Sequence, residues 1–192
     1  MAEVGTLVRA ARKSRRLTQA QLAARAGLDQ ARVSRSEDAT EKPRYDTVER
    51  LLAGAGHRLY AAPTRRDDAA TIATQIRDSL KRGDRALALR YLLQLNDNLV
   101  AEKGLVRGVL AVTEPELTGQ KAWDAAIAAL VAWRLNEEHV PLPEWVAAPE
   151  RKLDRARTLR VDPADPVPIR ADVPGEFLEH GVLAWRDTFA SV

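Results

Sequence analysis

The sequence predicts a mainly α-helical chain in three parts: a five-helix domain at residues 1–63, a helical bundle at residues 67–140 and a proline-rich extended tail at residues 141–192. Three observations lead to this fold class. Apolar residues recur at helical spacing, between capping residues and glycines, up to about residue 140. A polar stretch, PTRRDD, separates the first two parts. Seven of the ten prolines follow residue 140, where they exclude long helices and favour extended segments.

The first part contains the most informative segment, Leu17 to Glu37, which reads LTQAQLAARAGLDQARVSRSE. Thr18 and Gln21 have the spacing of a capping box, which predicts the start of a helix. Gly27 can take the left-handed conformation that ends this helix, and Asp29 then caps a second one. The segment therefore predicts two short helices joined by a tight turn.

The spacing within these two helices is that of a helix-turn-helix. Ala23 leaves room for the second helix to cross closely, and Val33 anchors that helix in the core. In this geometry the second helix enters the major groove of DNA.

The pattern TQxxLAxxAGLxxxxVSRxE closely resembles the XRE family of phage-repressor-like DNA-binding domains, over roughly residues 4–60. The resemblance implies a structural ion pair between Arg12 and Glu37. It also implies that Gln30, Ala31 and Arg35 read bases, which fits their chemistry, since Gln pairs with adenine, Ala touches a thymine methyl and Arg pairs with guanine. The expected phosphate contacts are Gln19, Arg32, Ser34, Lys42 and Arg44.

Two features depart from the family pattern. Ser36 stands where the family usually has Ile or Leu, which predicts a looser corner of the core. The turn Asp38-Ala39-Thr40 replaces the usual Arg/Asn-Gly and places an acid near the DNA. After Gly56, residues 57–63 are expected to form a short strand that either pairs two subunits, as in some XRE relatives, or closes the domain.

The second part, at residues 67–140, reads as four helices with apolar residues three or four positions apart, the pattern of a small bundle. The predicted limits are Asp67 or Asp68 to Gly83, Asp84 to Gly104, Leu105 to Val112, and Thr118 to Pro141.

Aromatic residues in the tail are candidate anchors for a protein partner, because interface energy concentrates in buried aromatics. We select Trp145, Phe177 and Trp185. The alternative is that the tail packs on its own bundle and binds nothing.

Charge and composition limit the function. Residues 1–66 carry 14 Lys and Arg against 7 Asp and Glu, a net charge of +7, whereas residues 67–192 carry 16 against 20, a net charge of −4. The basic part suits a polyanion and the acidic part a different partner. The chain has no cysteine and no apolar run of the roughly 18 residues that would cross a bilayer. We expect a cytoplasmic protein that does not enter membranes.

Nothing in the sequence has the spacing of a catalytic, metal or nucleotide site. The three histidines are far apart, and no glycine-rich phosphate loop is present. We therefore expect no enzymatic activity and no cofactor.

Together these features predict a DNA-binding transcriptional repressor that occupies a double-stranded operator as a homodimer. The GHRLYAAP segment resembles XRE-type antitoxins, and the tail resembles actinobacterial regulators encoded beside nucleotidyltransferase-like toxins. This resemblance implies an autoregulating antitoxin that binds a toxin protein encoded by an adjacent gene. The alternatives are a ligand-sensing repressor with a small-molecule pocket in the bundle and, less favoured because no catalytic cluster is present, an enzyme fused to a DNA-binding module.

Overall fold

Helices dominate the computed structural model, which describes residues 3–161, 164 and 166–190. Within these residues the regular structure consists of nine α-helices, several short 3-10 turns and one pair of two-residue strands. The predicted mainly α-helical fold class is confirmed. Residues 162–163, 165 and 191–192 of the predicted tail lie outside the described residues.

Four helices, rather than the predicted five, form the first part of the chain. Gly56 has a positive φ of 71° and turns the chain away from the last of these helices. Residues 57–63 then run without regular structure. The expected strand does not form there either, because a strand needs a hydrogen-bonded neighbour and the described residues supply none. The helices are α1 (Val4–Ser14), α2 (Gln19–Ala26), α3 (Gln30–Glu37) and α4 (Tyr45–Gly54).

Local rules account for the starts and ends of α2 and α3. The capping box of Thr18 and Gln21 is present in both directions. Gly27 ends α2 in the left-handed region at φ 63°, and the Asp29 carboxylate accepts from the Arg32 N–H at 2.7 Å. Val33 is fully buried, so the second helix is anchored in the domain core.

The bundle consists of the four helices that were predicted. Asp68 and Asp84 cap the first two by accepting backbone N–H groups at 2.8 and 2.9 Å. The N-cap of the fourth helix is Gln120 rather than the predicted Thr118, because Thr118 lies in the preceding turn and donates its N–H to the Asp124 carboxylate at 2.7 Å. The helices are α5 (Ala69–Lys81), α6 (Arg85–Ala101), α7 (Gly104–Val112) and α8 (Lys121–Glu137).

Helix α8 is the centre of the second part. Every residue from Trp123 to Leu135 is buried, so this helix is covered on all sides rather than along one stripe. Helices α5, α6 and α7 cover part of it, and segments of the tail cover the rest. A helix that is apolar all round needs such an enclosure to be stable in water.

The described part of the tail folds onto the bundle. Short turns at Glu144–Ala147 and Pro149–Arg151, together with helix α9 (Gly175–Glu179), contact α8. Strands β1 (Arg157–Thr158) and β2 (Val182–Leu183) pair in parallel, with Arg157 opposite Val182. Of the two alternatives drawn from the sequence, the structure shows the tail packed on its own bundle.

The two parts of the chain meet at a cluster of charged side chains. Arg9 on α1 pairs with Glu116 in the loop between α7 and α8, and Glu116 also accepts from Arg77 of α5 at 2.6 Å. Lys13 lies 3.9 Å from Glu114 in the same loop. These contacts connect α1 to the bundle. Within the described residues, no helix has both the length and the apolar character needed to cross a membrane.

Candidate nucleic-acid interface

Helix α3 exposes the three residues expected to read bases. Gln30, Ala31 and Arg35 are exposed, whereas Val33 and Ser36 are buried at 0% and 1% exposure. At 100° per residue these two sets occupy opposite sides of the helix. The side chains required for base contacts therefore form one outward face.

Arg35 is held by an exposed ion pair. Its Nε donates to Glu41 Oε2 at 3.1 Å, and Arg32 Nε lies 3.8 Å from the other Glu41 oxygen. The Arg35 side chain is 51% exposed. Since exposed ion pairs are worth only about 0–1 kcal/mol, a guanine edge or a phosphate can replace Glu41 at little cost.

The loop before α4 adds positive charge beside this face. Lys42 and Arg44 are exposed, and neither forms an ion pair with another described residue. Tyr45 follows them and is 65% exposed, a large value for an aromatic side chain. Sequence reasoning did not select Tyr45, because residue type alone does not show that the ring faces solvent beside a basic loop.

Three of the expected phosphate contacts have partners within the domain, and one of them is Arg32, whose Nη2 donates to Thr47 Oγ1 at 3.4 Å. The Gln19 side chain donates to Glu37 Oε2 at 3.0 Å, and Ser34 donates to Asp38 Oδ2 at 3.3 Å. The other Asp38 oxygen accepts from Arg9 at 2.9 Å. The acid that the sequence places near DNA is therefore paired with α1 and α3.

Arg12 and Glu37 form a bidentate ion pair. Arg12 Nε and Nη2 donate to the two carboxylate oxygens of Glu37 at 2.6 and 2.8 Å, and Nη1 donates to the Leu17 carbonyl at 2.8 Å. The Glu37 side chain has no exposed surface. The pair joins α1, the chain entering α2 and the last turn of α3.

Both members of this pair stay charged. Burial alone raises the pKa of Glu37, but the hydrogen bonds from Arg12 and Gln19 and the charges of Arg12 and Arg9 outweigh burial, so the pKa of Glu37 is lowered. The hydrogen bond to Glu37 raises the pKa of Arg12.

The corner of the core at Ser36 is tightly packed rather than loose. Gly5 of α1 lies so close to the end of α3 that a Cβ on it would be 2.5 Å from the Glu37 carbonyl oxygen and 2.8 Å from that of Ser36. The backbones of α1 and α3 therefore lie in direct contact, which compensates for the smaller side chain of Ser36. Its buried hydroxyl has no hydrogen-bond partner among the described residues.

Two of the three candidate partner anchors belong to the chain's own core. Trp145 is 7% exposed and its indole N–H donates to the Ala111 carbonyl at 3.0 Å. Phe177 is fully buried against Trp133 and Phe189. Both were wrongly selected, because they lie in tail segments that cover the part of α8 left open by α5, α6 and α7. Trp185 is partly exposed.

Two arginines that sequence reasoning missed connect helices within the helix-turn-helix domain. Arg50 on α4 donates to the carbonyls of Ala26 and Gly27 at 2.8 Å each, which satisfies the end of α2 and fixes the turn. Arg9 donates to the Glu37 carbonyl at 2.9 Å. Both contacts join residues far apart in the sequence; the position of Arg9 one turn before Arg12 was a signal for Arg9, and no such signal existed for Arg50.

Residues 3–57 match a family model described as a helix-turn-helix domain. The match covers α1 to α4 and every residue predicted to contact DNA, so the chain carries an N-terminal helix-turn-helix domain of the kind found in DNA-binding regulators. No curated protein and no solved structure matches the chain. Within the described residues, no three His, Asp or Glu side chains are grouped so that they could hold a metal ion.

Proposed function

We propose that this protein is a sequence-specific transcriptional repressor that binds a double-stranded operator as a homodimer in the cytoplasm. The observation that carries the proposal is the outward face of α3, where Gln30, Ala31 and Arg35 project from a helix-turn-helix domain. Residues 1–66 supply a net charge of +7, which attracts the phosphate backbone.

Specific and non-specific contacts are separated in this domain. Arg35 lies on the exposed face of α3, and its guanidinium can bond both acceptors of a guanine. Lys42 and Arg44 lie in the loop after α3, where they are suited to phosphates, which position the domain without reading sequence. Replacing a base contact and replacing a phosphate contact should therefore have different consequences.

The test measures binding of the purified full-length protein to DNA from upstream of its own gene and to random DNA. Arg35→Ala should weaken binding to the specific site by about 1–3 kcal/mol and relax the preference at one base pair. Arg44→Ala should weaken binding to all sequences alike and reduce the salt slope by about 1. Arg82→Ala removes an equal charge from the exposed end of α5 and should change neither.

Equal losses for Arg35→Ala on specific and random DNA would mean that Arg35 contacts phosphate. The absence of any protected site in a footprint of the promoter, together with salt-independent binding, would refute DNA recognition altogether.

The finer part of the proposal is that the protein is an antitoxin. Its support is the sequence resemblance and the net charge of −4 on residues 67–192, which opposes DNA and leaves this part for a protein. With Trp145 and Phe177 in the core, the large apolar residues exposed in the described part of the tail are Leu142, Val167 and Ile169, and Trp185 is partly exposed.

Co-expression of the full chain with the product of the adjacent gene tests the antitoxin role. Co-purification and rescue of growth are expected, and Ile169→Glu should weaken both. If the protein represses its promoter but neither binds nor protects, the antitoxin role is wrong and the repressor remains.

One observation favours the second candidate, a ligand-sensing repressor. A cavity of about 920 Å³ lies where residues 62–67 meet α5 and α6, and the Oε1 atom of Gln75 in its wall has no hydrogen-bond partner among the described residues. The cavity lies at the joint rather than inside the bundle as expected, because α8 fills the interior. A metabolite that raises the melting temperature and changes operator affinity would support this candidate.

A further inference from the structure

Helix α7 has an apolar outer face. Leu105, Val109 and Val112 are 83%, 39% and 61% exposed. They lie four and then three residues apart, so their side chains form one stripe along the helix. Exposed apolar residues occurring singly are normal, whereas a contiguous stripe marks an interaction surface.

The stripe carries no charge, because the one charged residue of α7 is turned inward. Arg107 is 3% exposed and donates to the carbonyls of Arg134 at 2.7 Å, Glu102 at 2.8 Å and Val100 at 3.3 Å. Gly108 lets the helix approach the bundle, since a Cβ there would lie 3.1 Å from Val140. Helix α7 is therefore held firmly, and its outer face needs little ordering before it binds.

We propose that this stripe, Leu105, Val109 and Val112, is the surface through which two copies of the chain pair, with α7 packed antiparallel to α7 of the second copy. The inference rests on the proposed function, since an operator read by a helix-turn-helix protein requires two domains. The inference adds to that function the surface through which the two copies bind each other.

The charge distribution favours a second copy of the same chain. In a twofold interface, residues near the axis meet their own copies, so a charge there faces a like charge. The α7 stripe avoids this cost. Antiparallel packing centred between Gly108 and Val109 places Leu105 against Val112 of the second copy and opposes the two helix dipoles.

Leu59 and Tyr60, a further pair of exposed apolar residues in the segment after α4, suit self-pairing less well. These residues are 41% and 82% exposed. Arg58 and Arg65 are also exposed along the same short segment, so a twofold axis there would bring like charges together.

Helix α7 is also connected directly to the DNA-binding domain. The loop after Val112 carries Glu114 and Glu116, which contact Lys13 and Arg9 of α1. Pairing through α7 therefore holds the two recognition helices in a fixed relation. Such a relation is what reading two half-sites about one helical turn, or roughly 34 Å, apart requires.

The test uses charge on the stripe. Leu105→Glu/Val112→Glu places acids opposite acids and should weaken self-association by about 100-fold or more in sedimentation experiments on the full chain. Tyr60→Glu, at a site that is 82% exposed outside the stripe, is the matched control and should leave the dimer intact. Leu105→Glu/Val112→Lys should restore pairing, because antiparallel packing places Glu against Lys.

The outcomes separate this inference from the proposed function. The double acidic variant should keep the circular dichroism spectrum of the wild type and bind a single half-site normally, while losing cooperative binding to the full operator. A wild type that stays monomeric on the operator, or acidic variants that stay dimeric, would overturn the inference. The inference would also be overturned if the wild type were monomeric and bound the product of the adjacent gene through Leu105 and Val112. Dimers that respond as described but bind no DNA would refute the proposed function alone.

Discussion

Replacing Glu37 with alanine is the most informative test of how the helix-turn-helix domain is held together. The buried Glu37 carboxylate accepts two hydrogen bonds from Arg12 and one from Gln19. Glu37→Ala removes the counter-ion of Arg12 in a place where the Arg12 side chain is only 15% exposed. The domain should therefore lose stability rather than DNA specificity.

The burial of Glu37 sets the magnitude. Removing one partner of a buried ion pair costs about 3–5 kcal/mol, against about 0–1 kcal/mol for an exposed pair. Arg12 keeps its bond to the Leu17 carbonyl and retains some access to water, so we expect the lower end, about 3 kcal/mol. Because whole domains are stable by about 5–15 kcal/mol, this loss is a large fraction of the total.

Urea unfolding with two probes locates the effect. All four tryptophans lie at residues 123, 133, 145 and 185, so their fluorescence reports the C-terminal part, whereas circular dichroism reports all helices. Glu37→Ala should lower the midpoint of the helical signal more than that of the fluorescence. Glu41→Ala, which breaks the exposed pair with Arg35, is the control and should cost less than about 1 kcal/mol.

Equal midpoints for Glu37→Ala and Glu41→Ala would refute this reasoning. The pH dependence gives an independent check. Since the pKa of Glu37 is lowered in the folded protein, its stabilisation is present above the unfolded pKa of about 4.3 and is lost as the pH falls through the lower folded value. The difference in unfolding free energy between wild type and Glu37→Gln should therefore shrink below about pH 4.

Two further predictions follow from close packing and from burial. Gly5→Ala should cost about 1–3 kcal/mol, because the added Cβ meets the carbonyls of Ser36 and Glu37, whereas Gly175→Ala, with open space around it, should cost little in the same unfolding experiment. Burial lowers the pKa of His180, so the unfolded chain takes up a proton first and the wild type should lose stability as the pH falls below about 6.5. His180→Gln should flatten this dependence in tryptophan-detected unfolding between pH 7.5 and 5.5, and an unchanged slope would contradict the assignment.

Much of the DNA-binding domain could be predicted because its signals are local. Thr18, Gly27 and Asp29 act on backbone groups within three or four residues of themselves, so the starts and ends of α2 and α3 can be inferred without knowing the rest of the fold. The inward positions of Val33 and Ser36 then decide which residues of α3 face outward. The prediction of a fifth helix was wrong because no local signal places a helix or a strand after Gly56.

The bundle shows where local signals stop. Periodicity identified α5 to α8 and their approximate limits, yet it did not show that α8 is enclosed on every side. Consequently Trp145 and Phe177, which complete that enclosure, were mistaken for anchors to another protein. A large apolar side chain is normally buried against another surface. The residues next to it in the sequence do not show whether that surface belongs to the same chain or to a partner.

The sequence by itself determined the helical fold class, the helix-turn-helix and the side of α3 that can meet DNA, because caps, turns and periodicity act over a few residues. Only the tertiary structure decided that the tail closes over α8, that Arg9 reaches Glu116 across 107 residues, and that α7 turns Arg107 inward and leaves an apolar stripe outside. These features depend on contacts between distant segments. Such contacts are set by how complementary surfaces pack in three dimensions, which no short stretch of sequence encodes.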